Sequence, residues 1–384
     1  MEGFNSMIRV AIQNHWIRGF AIGNLSGEEM QICHLLYADD IIIFCEAKAS
    51  QISFIRTTLV IFEAVSGLSI NWRKSCIFPF KEVPQIQSLA TILGCRVEQL
   101  PTTYLGMPLG HNHKELEIWD GIIEKIEKKL VNWKAQYISL GGRVTLINFV
   151  LDSLPTYVMS LFPIPAKVEE RLDKLRRDFL WLGNKEGKGP HLFKWQVVQL
   201  HKQSGGGGLG IRNLRIQNAC LLSKWLWRFT RETHALWREV IVNKYDMDGK
   251  WCSNLVNDTY GVSVWRTIRN LWPNLIRNID YKVGSGTKTS FWKENWIGNE
   301  SLMVLFPDLL LLSINPEETV ADVWSQQGWN IVFRRFLNDW EIRRVAAYYK
   351  YCMGLRGQQW RKTLSDGDIA AMGCYQLTDY ISRK

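Results

Sequence analysis

The run HLLYADDIIIF, residues 34–44, sets two adjacent acids between two stretches of apolar β-formers. Leu35 and Leu36 on one side, and Ile41, Ile42, Ile43 and Phe44 on the other, read as two largely buried strands, and the Ala38-Asp39-Asp40 step between them reads as a tight hairpin. The two carboxylates then sit at a rigid tip. Carboxylates about 4 Å apart repel by roughly 4 kcal/mol at an effective dielectric of about 20. A fixed pair is best stabilised by a hard cation such as Mg²⁺, which takes oxygen ligands, and carboxylate-held cations are what two-metal nucleotidyl transfer uses. The competing explanation is an ordinary turn, since Asp is common in turns.

Further segments follow in order: GLSINWRKSCIF (Gly67 to Phe78), YLGMPLG (Tyr104 to Gly110), the stretch Ser139 to Pro165, FLWLGNKEGKG (Phe179 to Gly189), the stretch Gly207 to Phe229, and FRRFLNDWEIRR (Phe333 to Arg344). With the acidic hairpin they resemble the late palm motifs, and the sequence that follows them, of reverse transcriptases of LINE-type, non-LTR retrotransposons of the plant kind. The resemblance covers nearly the whole chain. It implies an α+β fold: a partial right-hand polymerase palm (the YADD hairpin plus helices), a helical thumb, and a mixed, Trp-rich C-terminal region. It also implies RNA-directed DNA polymerase chemistry, in which a DNA primer is extended on an RNA template with deoxynucleoside triphosphates and Mg²⁺. By the same resemblance Asp39 would ligate the metal with help from Asp40, and Lys74 would neutralise or protonate the pyrophosphate side. Tyr104, Leu105 and Gly106 would hold the primer end, and Gly67 and Asn71 would shape the lysine loop.

A palm site needs one more Asp on a neighbouring strand, because adjacent residues of an extended strand point to opposite faces. No Asp precedes Asp39, and the upstream acids are Glu2, Glu28 and Glu29. Residues 1–20 look like the helix and strand that follow the family's Gln-Gly-Asp-Pro box, so the chain is expected to begin downstream of that box and of the first catalytic Asp. On this reading it is inactive alone, and an upstream polymerase segment is a partner. An N-terminal endonuclease, and a Cys/His-rich segment beyond the C-terminus, are expected to be missing too. Two alternatives stand beside it: a non-enzymatic nucleic-acid-binding remnant, which the missing Asp favours, and an organellar group II intron maturase-like protein, which shares the YADD box.

Composition supports folded domains. The 384 residues, 46% hydrophobic and 22% charged, suffice for two or three cores. The 47 Lys plus Arg against 37 Asp plus Glu, net +10 with pI near 9.1, suit a polyanionic partner. The eight cysteines never approach zinc-finger spacing and read as free thiols of a reducing compartment. His111 and His113 follow Gly110 in a polar stretch without an evident third ligand, and read as loop residues. No secretory leader is visible, so a nuclear or cytoplasmic protein is expected. Residues 144–166 lack Lys and Arg, but Asn148, Asp152, Pro155, Pro163 and Pro165 argue against a membrane span and for a buried thumb helix with a proline-bounded turn.

The regions follow as 1–110 for the surviving palm, 111–200 for the thumb, and 201–384 for a basic, Trp-rich region. Ile52, Ile55, Leu59, Phe62 and Val65 predict one helix face, and Ile118, Ile122, Ile126 and Leu130 another. Gly205 to Gly208 reads as a flexible break. Within it, Gly205-x-Gly207-x-x-Gly210 meets the dinucleotide pattern only because glycines are abundant, and no βαβ unit surrounds it. From 201 to 238, seven Lys or Arg stand against Glu232 alone, interleaved with Trp225, Trp227, Phe229 and Trp237. Leu221, Leu222, Trp225, Leu226 and Phe229 read as core, while Arg212, Arg215 and Arg228 are candidates for contact with single-stranded nucleic acid.

Overall fold

A computed structural model describes residues 2–23, 29–113, 115–133, 137–182, 192–201, 208–248, 251–255, 263–279, 283–298, 300–325 and 328–353. The chain is α+β, helix joined to small two-stranded sheets. It divides into two compact units, one of residues 1–246 with 253–268, the other of residues 247–252 with 269–384.

The first unit opens with α1 (Glu2–Gln13) and the antiparallel pair β1 (Phe20–Gly23) and β2 (Glu29–Ile32). The acidic hairpin follows as β3 (His34–Tyr37) and β4 (Asp40–Ile43), in register from His34 opposite Ile43 to Tyr37 opposite Asp40. Only one of its faces is packed, and that face is half-buried. Leu36, Ile41 and Ile43 pack against Phe4, Ile8, Ile55 and Phe62, whereas Leu35 and Tyr37 are exposed. The strands expected to be largely buried are thus at most half-buried, as in a two-stranded sheet covered on one side.

Helix α2 (Ala49–Ser66) supplies that cover through Ile52, Ile55, Leu59 and Phe62. Val65, predicted on the same face, is 81% exposed, because the 3.6-residue period has by then rotated its position off the stripe. Gly67 ends the helix in the left-handed region at φ 71°, its N–H bonding Glu63 O, a conformation that glycine adopts without Cβ strain. The parallel pair β5 (Cys76–Ile77) and β6 (Arg96–Val97) flanks α3 (Ile86–Leu93). β7 (Thr102–Tyr104) and β8 (Met107–Leu109) form a second tight hairpin.

The core of the helical part gathers Ile118, Trp119, Ile122 and Ile126 with Ile147, Leu151, Leu172, Phe179 and Trp195. These come from α4 (Asp120–Asn132) and the short turn before it, α5 (Leu140–Leu146) running into a wide π turn at Ile147–Leu151, then α6 (Thr156–Met159), α7 (Ala166–Trp181) and α8 (Trp195–Val198). Of the predicted stripe, Ile118, Ile122 and Ile126 are buried and Leu130 packs at the edge. Ile211 and Leu214 join this same core, so α9 (Leu214–Arg231) packs with the helices before it. α10 (Leu236–Tyr245) closes the unit against β1.

Within α9, Leu222, Leu226 and Phe229 are buried and Leu221 and Trp225 half-buried, as the core stripe predicts. Asn218, also buried, fastens the α6–α7 connection: its amide donates to Met159 O at 2.7 Å and Phe162 O at 2.9 Å, and its Oδ1 accepts from Ile164 N at 3.0 Å. Of the expected glycine break Gly205 to Gly208, residues 205–207 lie outside the described residues, including Gly205 and Gly207 of the dinucleotide-like pattern. Gly208 is described, and a Cβ there would fall 2.1 Å from Leu200 O, so the backbone passes too close for any side chain.

The second unit is built on aromatic rings. Phe291, Trp292, Trp296, Phe306, Trp329 and Tyr348 share one core, with Phe291 and Trp292 meeting edge-on at 5.2 Å and Trp296 and Trp329 5.1 Å apart. A Thr319–Asp322 capping box starts one short helix, and the helix Asp339–Met353 packs Tyr348 and Cys352 inward. None of the seven described cysteines forms a disulfide, and Cys33, Cys252 and Cys352 are buried. No helix among the described residues is long and apolar enough to cross a membrane.

Candidate functional site

The β3–β4 turn has two loop residues, Ala38 and Asp39. Ala38 sits at φ 51°, in the left-handed region that a non-glycine residue enters at a cost of roughly 1–2 kcal/mol. Strain of this kind persists where the surrounding structure over-determines it, and here the paired strands and the core under Leu36 and Ile41 do so. Asp39 and Asp40 are both exposed, and among the described residues neither carboxylate has a hydrogen-bond or ion-pair partner.

Tyr104 ends β7 beside this tip. Its hydroxyl is held above the usual tyrosine range, first by burial and then by the negative charge of Asp40. The next two residues, Leu105 at φ 51° and Gly106 at φ 75°, form a loop with both positions left-handed, the type I′ arrangement favoured between twisted strands. Tyr157 of α6 donates its hydroxyl to Leu105 O at 2.8 Å, and a Cβ on Gly106 would lie 3.6 Å from Tyr157 Cε1. Two motifs separated by more than sixty residues thus lie within electrostatic reach of each other, and Tyr157 braces the second of them. Tyr157 lies in the stretch LPTYVMS, yet nothing in its local pattern assigns it this contact.

Lys74 occupies a turn that Asn71 organises. Asn71 Oδ1 accepts from Lys74 N at 3.1 Å, and Asn71 O accepts from Ser75 N at 3.1 Å. Glu63 Oε1 accepts from Ile70 N at 2.6 Å, tying the segment to α2. The Lys74 side chain is exposed and pairs with neither Asp. Behind the hairpin, buried Gln51 accepts from Arg18 N and Glu46 N and donates to Glu46, fixing where β4 leaves the sheet.

The three arginines of the basic segment differ. Arg215 is bonded to Glu169 at 2.6 Å and 2.9 Å. Arg228 is bidentate to Glu232 at 2.6 Å and 3.0 Å, lies 4.6 Å from the Trp225 ring, and helps hold the Glu232 carboxyl below the usual range. Arg212 is exposed and has no ion pair among the described residues. In the second unit Arg335 pairs with Glu341 and Arg344 with Asp308, while Arg334 donates to Ser313 O. Periodicity locates such charges on a face, but only the fold shows which acid reaches them.

No family model matches the chain. It is similar to an Arabidopsis thaliana protein named "Putative ribonuclease H protein", with 29% identity over 280 residues, 71% of this chain and 44% of that one. It is also similar to an uncharacterised mitochondrial protein of the same plant, with 27% identity over 151 residues, 39% of this chain and 96% of the relative. The chain thus spans less than half the length of the first relative and nearly all of the second.

Proposed function

We propose that this chain is a retrotransposon-derived fragment carrying the late palm and thumb of a LINE-type reverse transcriptase. Asp39 and Asp40 form part of its metal-binding tip, Lys74 the nucleotide-side loop, and Tyr104-Leu105-Gly106 the primer-holding turn. The observation that carries the reading is the strained Ala38-Asp39 turn, which presents two exposed carboxylates without a partner among the described residues at the end of a packed hairpin. A turn kept for folding alone would not need two unpaired exposed carboxylates beside a second strained turn. RNA template, DNA primer and deoxynucleoside triphosphates are the ligands this reading assigns.

Mg²⁺ fits this site only in part. Asp39 and Asp40 offer oxygen donors, but they belong to no cluster of three metal-ligating side chains among the described residues. No catalytic step is therefore derived through the metal, and polymerisation by this chain needs a carboxylate from an upstream polymerase segment. That deficit favours a second reading in which the chain only binds nucleic acid, with Arg212 and Lys224 the exposed cations of its basic segment that have no ion pair among the described residues.

Primer extension on an RNA template with Mg²⁺ or Mn²⁺ tests the proposal. The chain alone should incorporate nothing. Co-expression with a segment bearing the family's Gln-Gly-Asp-Pro box and first Asp should create activity that Asp39→Asn abolishes. Activity that survives Asp39→Asn would remove the metal-binding role, and no gain with the added segment would leave the nucleic-acid-binding reading.

A further inference from the structure

The turn between β8 and α4 holds a donor set that the sequence pattern conceals. A His111–His113 pair is what the spacing suggests, but His113 is 6% exposed and sits in the interior. His111 is instead joined by two carboxylates from the following turn. Its Nδ1 lies 2.9 Å from Glu115 Oε2, and one donor atom from each of His111, Glu115 and Glu117 falls within 4.8 Å of the others. The imidazole is largely covered, with 15% of its side-chain surface exposed, while Glu115 is 44% exposed.

The backbone explains why these side chains converge. Gly110 leaves β8 at φ 87°, a turn in which a Cβ would strike Leu100 Cβ at 2.8 Å, and this fixes the direction in which His111 starts. Asn112 O then accepts from Glu115 N at 2.9 Å, and Leu116 O accepts from Trp119 N at 2.9 Å. Ile118 and Trp119 are buried in the helical core, which anchors the other end and leaves Glu117 at the surface. One imidazole and two carboxylates are held at both ends of a single short turn.

We propose that His111, Glu115 and Glu117 form a three-ligand site for a borderline divalent cation of the zinc class. Zn–N and Zn–O bonds of about 2.0–2.2 Å put two donors on one tetrahedral ion roughly 3.4 Å apart, a spacing these side chains reach by small rotamer changes. An imidazole with two carboxylates suits Zn²⁺ or its neighbours better than Mg²⁺ or Ca²⁺, which prefer all-oxygen shells. The cation would relieve the repulsion between Glu115 and Glu117 and pin the strand hairpin to the short turn before α4. The site is separate from Asp39 and Asp40 and does not depend on the polymerase reading.

The test uses the full chain, stripped with chelator under reducing conditions and titrated with Co²⁺ and with Zn²⁺. One equivalent of Co²⁺ should give weak visible bands of nitrogen and oxygen ligation, and Zn²⁺ should raise the melting midpoint by several degrees. Both signals should disappear in His111→Ala and in Glu117→Gln, the latter a surface change that leaves the core untouched, and both should persist in Asp39→Asn. A signal that survives either of the first two substitutions overturns the proposal. So does a signal carried by a thiolate charge-transfer band, one lost in Asp39→Asn, or the absence of binding in the parent.

Discussion

Replacing Arg176 by Met should be among the most destabilising single changes in the first unit. Arg176 is 2% exposed, and its Nη1 donates to Asp152 Oδ1 at 2.7 Å and to Arg212 O at 3.0 Å, while Nη2 pairs with Asp173. Asp152 is wholly buried, and its other oxygen has no hydrogen-bond partner. Burial pushes its carboxyl above the ordinary aspartate range, and Arg176 opposes that rise without cancelling it. Removing the arginine strands an acid inside the core, which costs about 3–5 kcal/mol and lowers the melting midpoint by on the order of 10 °C in a domain of this size. Asp152→Asn removes the charge instead and should cost about 1–3 kcal/mol. The double substitution should recover part of the loss, because the two residues contact each other.

The pH dependence has a definite sign. A carboxyl whose folded pKa lies above its unfolded value contributes stability below the unfolded value and loses it as pH rises through the folded one. In Arg176→Met the folded pKa of Asp152 climbs further, so the deficit should be largest near pH 8 and should narrow as the solution is acidified towards pH 5. Thermal melts by circular dichroism at both pH values measure this. A variant within about 1 kcal/mol of the parent at pH 8, an amount smaller than a buried unpaired charge costs, would refute the reasoning. A deficit that grows on acidification would refute it equally.

Ala38→Val should lower stability by more than about 1 kcal/mol, since a β-branched residue at φ 51° is more strained than Ala, whereas Ala38→Gly should leave stability unchanged or raise it by up to about 1 kcal/mol; urea melts separate the two. Asn218→Ala should cost about 2–3 kcal/mol by releasing three hydrogen bonds that hold the α6–α7 connection, with the remaining helices intact by circular dichroism. If the basic segment binds single strands, affinity should fall steeply with salt, and Arg212→Glu should weaken it more than Arg228→Glu, whose cation Glu232 already neutralises. Fluorescence anisotropy with a labelled oligonucleotide across salt concentrations decides this, and equal effects of the two substitutions would contradict it.

Local pattern carried much of the fold. Two apolar runs on either side of the acids marked a hairpin, apolar spacing marked the faces of α2 and α4, and Leu222, Leu226 and Phe229 marked the inner side of α9, because each signal lies in neighbours along the chain. The same periodicity failed at Val65, where the helix had turned away from its core, and could not say that Leu35 and Tyr37 face outward. The resemblance gave Asn71 as a shaper of the lysine loop, and its Oδ1 accepts there from Lys74 N.

Contacts between distant segments were not legible. The approach of Tyr104 to Asp40, the brace from Tyr157 to Leu105, the neutralisation of Arg215 by Glu169, and the buried Asp152–Arg176 pair all join residues that no local spacing relates. Even the grouping of His111 with Glu115 and Glu117, close in sequence, waited on a left-handed glycine and an anchored Trp119 to turn the three side chains together. Sequence alone marked the YADD hairpin and the inner faces of α2, α4 and α9, and placed two acids at a tight turn, because those outcomes follow from short-range sterics and the burial of one face. Tertiary structure alone decided which charges remain available at the surface, because an ion pair depends on where the chain returns in space and not on the order of its residues.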